Sequence, residues 1–163
     1  MTTHPAPCGQ NRTIHEGELD RGDVAALLDL HFAEMTGDSP PEACHVLPLD
    51  GLRDPAIRFF STRDGEGALL GVGALRTLDP HHGELKSMRT APAALGQSVG
   101  RELLAHLIAE ARAAGLTRLS LETGTTPLFA AANRLYQRGG FTPCGAFGDY
   151  PDSPFTAFYS RAI

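Results

Sequence analysis

The chain has 163 residues, of which 42% are hydrophobic, and its formal net charge is −5. This size and apolar content suit one globular domain whose core needs no disulfide or metal to fold. The acidic balance gives no electrostatic footprint for nucleic acid or an anionic membrane surface, and no apolar run approaches the length of a membrane span.

The N-terminal segment and the cysteines indicate a cytoplasmic protein. Residues 1–12 lack the basic and apolar regions of a secretory signal, and we expect them to form a flexible lead. The three cysteines, Cys8, Cys44 and Cys144, are widely spaced and show neither a CxxC pair nor a metal-ligand spacing. Reduced thiols and no metal site are therefore expected.

The first half of the domain is predicted to be a strand, a helix and a three-stranded meander. Apolar periodicity and the positions of Gly, Pro and Asp predict a strand over 13–16, a helix over 22–37, a helical turn over 47–52 and strands over 57–63, 68–78 and 84–90. Gly71 and Gly73 indicate a bulge or close packing within the 68–78 strand. His81 and His82 lie in the next turn without a suitable carboxylate spacing, so they are expected to face solvent.

The second half is predicted to be a helix, a strand, a helix and two strands. The long helix ends at Gly115, and its predicted apolar stripe is Leu103, Leu104, Leu107, Ile108 and Ala111. The later elements span 116–123, 127–139, 141–144 and 155–163. The helix between the 84–90 and 116–123 strands forms a βαβ crossover, so these two strands should be parallel. Residues 13–163 are therefore predicted to form a single α+β domain, in which helices flank a mixed, mostly antiparallel sheet of six or seven strands.

The turn before the long helix is rich in small residues. Gly96, Ser98 and Gly100 allow a ligand to approach the backbone amides at the helix start. These amides lack partners within the helix, and the helix dipole adds partial positive charge, so the turn suits a phosphate or pyrophosphate. An ordinary strand-to-helix turn, with glycine for steric reasons, explains the same residues.

Two stretches of the second half carry motifs, namely residues 95–100, preceded by Pro92, and residues 132–141. The first is similar to the cofactor motif Q/R-x-x-G-x-G/A of the GNAT superfamily of acetyl-CoA-dependent N-acyltransferases, although Leu95 and Ser98 depart from it. The second resembles that family's A-x-x-L-Y-x-x-x-G-F signature. The chain as a whole resembles a set of bacterial GNAT proteins, in segments 83–89, 121–124 and 147–150.

The resemblance implies that acetyl-CoA binds at the glycine turn and at the end of the 84–90 strand. In this family the strands that correspond to 84–90 and 116–123 splay apart, and the first holds the pantetheine arm through its backbone. An amide near Met88 then polarises the thioester carbonyl, and the turn takes the pyrophosphate. The implied cofactor-binding residues are Met88, Arg89, Thr90, Leu95, Gly96, Gln97, Ser98, Val99, Gly100 and Arg101. The family often has an asparagine seven residues before the tyrosine, where this chain has Phe129. Helical spacing places Asn133 on the same face as Phe129 and Tyr136, so Asn133 is the candidate for that polar contact with the cofactor.

The resemblance also implies catalytic roles for a tyrosine and a carboxylate. Tyr136 is the implied general acid toward the CoA thiolate, since a phenol is protonated at neutral pH; a core-facing aromatic residue is the other interpretation. Glu84 and Glu122 are candidate bases, because both lie on the strands that flank the splay and mutual repulsion would raise one pKa. A strand carboxylate is, however, more often a solvated residue or a partner of a nearby cation, here Lys86 or Arg89.

The function implied is an N-acetyltransferase that moves an acetyl group from acetyl-CoA to a primary amine in a ternary complex. A small-molecule acceptor is favoured because the chain has no basic or extended recognition tail. The loop with Tyr150 either borders the acceptor pocket, as in the family, or is a surface turn, and a homodimer is implied by resemblance alone. The alternative is a GNAT-like module that binds CoA with little catalysis, because Leu95, Ser98 and Phe129 depart from the family pattern.

Overall fold

The computed structural model describes residues 11–163, so Cys8 and most of the predicted N-terminal lead lie outside the described part of the chain. The strands and α-helices of that part are β1 (Thr13–Glu16), α1 (Gly22–Asp38), β2 (Ile57–Arg63), β3 (Leu69–Thr77), β4 (His82–Thr90), α2 (Val99–Ala113), β5 (Arg118–Gly124), α3 (Ala130–Arg138), β6 (Thr142–Cys144) and β7 (Thr156–Ala162). Short 3₁₀ helices span Pro41–Ala43, Leu49–Arg53, Pro92–Ala94 and Pro127–Phe129.

The strands form one seven-stranded sheet in the order β1-β2-β3-β4-β5-β7-β6. Neighbouring strands are antiparallel except β4 and β5, which are parallel because α2 returns the chain to the starting edge. The predicted α+β class, the mixed sheet and the crossover are therefore confirmed.

Helices cover both faces of the sheet because successive strand residues point to opposite faces. Phe59 packs into a cluster with Val24 and Leu28 of α1, whereas Phe60 packs into a cluster with Leu107 of α2. The apolar stripe predicted for the long helix is buried as expected, at Leu103, Leu104, Leu107, Ile108 and Ala111.

A bulge in β4 bends this strand near its middle. Val72 and Ala74 of β3 are two residues apart, but their partners on β4, Arg89 and Lys86, are three residues apart, so β4 contains one extra residue. Ser87, within this interval, has a φ of +53°.

The bulge predicted within β3 lies beside Gly71, because Thr62 and Arg63 of β2 pair with Gly71 and Leu69 and leave Leu70 as an extra residue. Gly73 itself allows close packing, since a Cβ atom there would lie 3.1 Å from Cδ1 of Leu107.

Strands β4 and β5 separate beyond the first half of their length. Their parallel ladder ends at Leu85 and Leu121, whereas β4 continues to Thr90 and β5 to Gly124. The outer neighbours β3 and β7 remain paired over these last residues. The backbone groups that face across the β4–β5 gap therefore have no ladder partner, and the gap opens a cleft in the middle of the sheet.

The histidine pair differs from the sequence prediction. Strand β4 begins at His82, and the Nε2 atom of this residue lies 2.7 Å from Oγ of Ser120 on β5. His82 is therefore half-buried in the sheet rather than free in a turn, because the parallel pairing of the two strands places both side chains on one face. Among residues 11–163 there is no cluster of three or more His, Cys, Asp or Glu residues suited to a metal ion. No helix in the same range has the length and apolar character to cross a membrane.

Candidate active site

The β4–β5 gap opens into a cleft of about 430 Å³. Helix α1 and the segment after it form one wall, and α2 and α3 form the other. The structure brings most of the predicted catalytic and pantetheine-binding residues to this cleft, and those that line it are Glu84, Met88, Arg89, Thr90, Leu95, Gly100, Glu122 and Tyr136.

The start of α2 carries backbone amides without protein partners. Gly96 and Ser98 have φ values of +75° and +64°, and the helix begins directly after them. Within residues 11–163, no amide from Gly96 to Arg101 donates a hydrogen bond to a protein acceptor, and the first to do so is that of Glu102, to the carbonyl of Ser98 at 3.1 Å. These amides lie at the positive end of the helix dipole, which suits the diphosphate of a nucleotide cofactor.

The opening beside these amides is basic. No carboxylate of the described chain lines it, whereas five arginines do, from α2, α3 and β7: Arg101, Arg112, Arg134, Arg138 and Arg161. Arg134 and Arg138 are four residues apart, so their helical spacing alone placed them on one face of α3. Neither arginine belongs to the motif at residues 95–100 that predicted the cofactor site. The arginines complement the phosphate groups of an anionic ligand.

Three other residues predicted to bind the cofactor are Arg89, Gln97 and Leu95. Arg89 donates a hydrogen bond from Nη1 to Oε2 of Glu34 on α1, at 2.5 Å. The Gln97 side chain donates to the carbonyl of Ala93 at 3.4 Å, and Leu95 is 67% exposed.

Asn133 faces the end of β5 rather than the cleft. Its Nδ2 atom donates to the carbonyl of Gly124 at 3.1 Å, and its Oδ1 atom is buried without a partner among the described residues. The ring of Phe129 packs on the same glycine, where a Cβ atom would lie 2.2 Å from the ring. Asn133 and Phe129 therefore hold α3 against β5.

Glu122 is a half-buried carboxylate that lines the cleft. It lies two residues after Ser120, which pairs with Glu84, so Glu122 and Glu84 share one face of the sheet. Within residues 11–163, Glu122 has neither a hydrogen-bond partner nor an ion-pair partner. Burial raises its pKa to about 7, and the negative charge of Glu84 adds to the rise while Lys86 opposes it. The expected rise thus has burial, rather than mutual repulsion, as its main cause.

Glu84 has quite different surroundings. Its side chain is 1% exposed, and its Oε2 atom accepts a hydrogen bond from the Tyr150 hydroxyl. The Nζ atom of Lys86 lies 3.5 Å from the same oxygen and 2.5 Å from the Tyr150 hydroxyl. Lys86 and Tyr150 together therefore balance the charge of Glu84.

Tyr136 extends from α3 into the cleft. It is 8% exposed, and its ring meets that of Phe141 edge-on with centroids 6.2 Å apart. Burial raises its pKa to about 12, with a further contribution from Glu122. The hydroxyl therefore stays protonated at neutral pH.

Two histidines, His31 and His45, also line the cleft on the side of α1, and the sequence did not predict this. Burial lowers the pKa of His31 to about 4, so this imidazole is neutral at pH 7. His45 meets the ring of Tyr150 edge-on at 5.1 Å between centroids. No sequence pattern connects residue 45 with residue 150, because a contact so distant along the chain leaves no periodic signal.

Comparison with known proteins agrees with this architecture. The model of the Acetyltransferase (GNAT) family matches residues 24–141. A protein of Escherichia coli (strain K12), named uncharacterized N-acetyltransferase YedL, is 45% identical over 151 residues, which cover 93% of this chain and 94% of that protein. The IAA acetyltransferase of Azospirillum brasilense is 39% identical over 137 residues, or 83% of this chain and 86% of that protein.

A solved structure with bound ligand shares the fold. The crystal structure of a GNAT family acetyltransferase from Elizabethkingia anophelis with acetyl-CoA bound has a TM-score of 0.69 at 17% identity, and the match covers 94% of this chain and 99% of that one. The family match spans most of the chain, including the β4–β5 gap and the start of α2. This chain belongs to the GNAT family and is an acetyl-CoA-dependent N-acetyltransferase.

Proposed function

We propose that the enzyme transfers the acetyl group of acetyl-CoA directly to the primary amine of a small molecule in a ternary complex. The observation that carries this proposal is the position of Glu122, a half-buried carboxylate beside the β4–β5 gap that has no hydrogen-bond or ion-pair partner among residues 11–163. The similarity to an IAA acetyltransferase and the size of the cleft favour a small acceptor.

Backbone groups would hold acetyl-CoA. The amides from Gly96 to Arg101 would bind its diphosphate, and the arginines of the basic opening would add positive charge. The end of β4, from Met88 to Thr90, would bind the pantetheine arm along the β4–β5 gap. An amide near Met88 would donate to the thioester carbonyl and stabilise the oxyanion that forms on attack.

Glu122 would act as the base. A free amine is mostly protonated at neutral pH, and only the neutral form has the lone pair for attack on the thioester carbon. With a pKa of about 7, Glu122 accepts this proton more readily than an ordinary glutamate carboxylate, whose pKa is 4.5. We therefore assign the base to Glu122 and not to Glu84, whose side chain is 1% exposed and whose Oε2 atom is bound by Tyr150 and Lys86.

Tyr136 would stabilise the departing thiolate. Its pKa of about 12 is well above that of an ordinary thiol, near 8.5. The hydroxyl would therefore donate a hydrogen bond to sulfur as the carbon–sulfur bond breaks, without giving up its proton at equilibrium. The acceptor nitrogen would lose two protons, one to Glu122 before the attack and a second as the tetrahedral intermediate collapses. One of them would protonate the thiolate, through Glu122 or solvent, and the other would be released to solvent.

The proposal is tested by incubating the enzyme with acetyl-CoA and a panel of small primary amines while following the release of free thiol. We expect turnover with at least one amine, and the acidic limb of kcat/KM near pH 7 should disappear in Glu122→Gln. We also expect this variant to lose about 10²-fold or more in kcat/KM.

The matched control for this experiment is Glu110→Gln, because Glu110 lies on α2 and pairs with Arg58 at 2.7 Å. It should retain the wild-type pH profile. Tight binding of CoA without turnover of any amine would instead favour a CoA-binding module.

A further inference from the structure

A buried polar cluster joins β4 to the loop between β6 and β7. The hydroxyl of Tyr150, in that loop, contacts both Glu84 and Lys86 of β4. The side chains of Glu84 and Lys86 are 1% and 7% exposed. These side chains are therefore largely shielded from water, and in such an environment hydrogen bonds and interactions between charges are stronger than at the protein surface.

The direction of the hydrogen bonds follows from the donors available. A lysine ammonium has donors and no acceptor, so the oxygen of Tyr150 accepts from Lys86. The single hydroxyl hydrogen of Tyr150 then points to Glu84, which accepts it. Burial and this bond raise the pKa of Tyr150, so the hydroxyl keeps its hydrogen at neutral pH.

Aromatic contacts fix the ring of Tyr150 independently of its hydroxyl. Its centroid lies 5.1 Å from that of His45, 5.3 Å from that of Phe147 and 6.0 Å from that of Phe158. Edge-to-face and tilted contacts of this kind are favourable and directional. A phenylalanine at position 150 would retain them.

Ionisable groups of three elements face Glu122. They are Glu84 and Lys86 of β4, Tyr136 of α3 and Tyr150 of the loop. Lys86 is the cation among them, and its bonds go to Tyr150 and Glu84. An ion pair between Lys86 and Glu122 would instead stabilise the charged form of Glu122 and weaken it as a base.

We infer that Tyr150 is a positioning residue for acetyl transfer. By holding Lys86 beside Glu84, its hydroxyl leaves Glu122 without an ion-pair partner and able to take the proton of the acceptor amine. The inference rests on the proposed role of Glu122 and extends it to a residue of a distant loop.

The test is Tyr150→Phe, which removes the hydroxyl and keeps the ring. Lys86 then loses an acceptor and Glu84 loses a donor, so we expect Lys86 to turn toward Glu122. The pKa of Glu122, followed by carbon-13 NMR of the glutamate carboxyl groups and assigned with Glu122→Gln, should fall by about 1. The acidic limb of kcat/KM should move to lower pH by the same amount. An unchanged titration of Glu122 would overturn the inference.

Two further variants isolate the contribution of Lys86. Tyr159→Phe removes a hydroxyl that accepts from Gln137 at 3.2 Å, and it should leave the titration of Glu122 as in the wild type. In a Lys86→Met background, Tyr150→Phe should have no further effect on that titration. An equal effect in both backgrounds would contradict the role given to Lys86.

The NMR titration needs no turnover, so it separates the two proposals. If Glu122→Gln keeps the wild-type pH profile, the base is assigned wrongly, and the catalytic meaning of Tyr150 fails with it. If Glu122→Gln removes the acidic limb but Tyr150→Phe changes neither the pKa nor the limb, the base stands and the positioning role is wrong.

Discussion

At the scale of single residues, two glutamates on one face of neighbouring strands have different chemistry. Glu84 is held by Tyr150 and Lys86, whereas Glu122 has no such partner in residues 11–163 and has a pKa of about 7. Active sites commonly separate two carboxylates in this way, so that one keeps a fixed charge and the other moves a proton.

A prediction at this scale concerns Tyr136→Phe. We expect kcat to fall about 10²-fold with little change in the KM for acetyl-CoA, because the hydroxyl acts only when the carbon–sulfur bond breaks. Folding should be almost unaffected, since the ring contact with Phe141 remains. Steady-state kinetics and thermal unfolding measure the two effects. A wild-type kcat would mean that Tyr136 is a core aromatic residue without a catalytic role.

At the scale of elements, α2 depends on glycine at both ends. Gly96 and Gly115 have φ values of +75° and +84°, and no atom lies within 4 Å of a Cβ atom built at either position. Glycine is therefore required at both positions by backbone conformation rather than by lack of space. Gly96 shapes the turn with the free amides, whereas Gly115 lies at the opposite end of the helix.

This difference predicts distinct effects for Gly96→Val and Gly115→Val. Both variants place a β-branched residue at positive φ, at a cost of about 1–3 kcal/mol. Gly96→Val should raise the KM for acetyl-CoA about tenfold at an unchanged kcat, because the backbone amides shift. Gly115→Val should lower stability by a similar amount and leave this KM unchanged. Steady-state kinetics at varied acetyl-CoA concentration distinguish the two variants. An equal rise of the KM for acetyl-CoA in both would argue against binding of acetyl-CoA by the amides before α2.

At the scale of the whole molecule, the titration of Glu122 affects stability. Its pKa is about 7 in the native state against an ordinary value of 4.5, so the native state holds the proton that the unfolded state releases between these values. The free energy of unfolding therefore falls as pH rises from 4.5 to 7. Asp23 has the opposite sign, because hydrogen bonds from Arg63 lower its pKa below 3.8. Asp23 therefore stabilises the native state above pH 3.8, and this stabilisation is lost as the pH falls below that value.

Glu122→Gln is accordingly predicted to stabilise the protein at pH 8 while it impairs catalysis. The gain in the free energy of unfolding should be at most about 3 kcal/mol at pH 8 and should be absent near pH 4. Urea denaturation at the two pH values measures it. Glu110→Gln, which loses the ion pair with Arg58, should show no gain at either pH. A gain of the same size at both pH values would contradict the assigned pKa of Glu122.

The sequence by itself determined the order of elements and the position of the turn before α2. Helical periodicity identified the stripe from Leu103 to Ala111, and small residues from Gly96 to Gly100 identified the turn with the free amides. The strand–helix–strand order predicted the parallel pair. These features depend on residues close together in the chain, so a local pattern is enough to reveal them.

Only the tertiary structure gave the two candidate bases, Glu84 and Glu122, their different surroundings. The pKa of Glu122 depends on how deeply β5 is buried, and the charge balance of Glu84 depends on Tyr150, which is 66 residues away. The position of Asn133 against Gly124 was also decided by packing of α3 on β5 rather than by helical spacing. Burial and contacts between distant residues arise only when the chain is folded, and no local pattern encodes them.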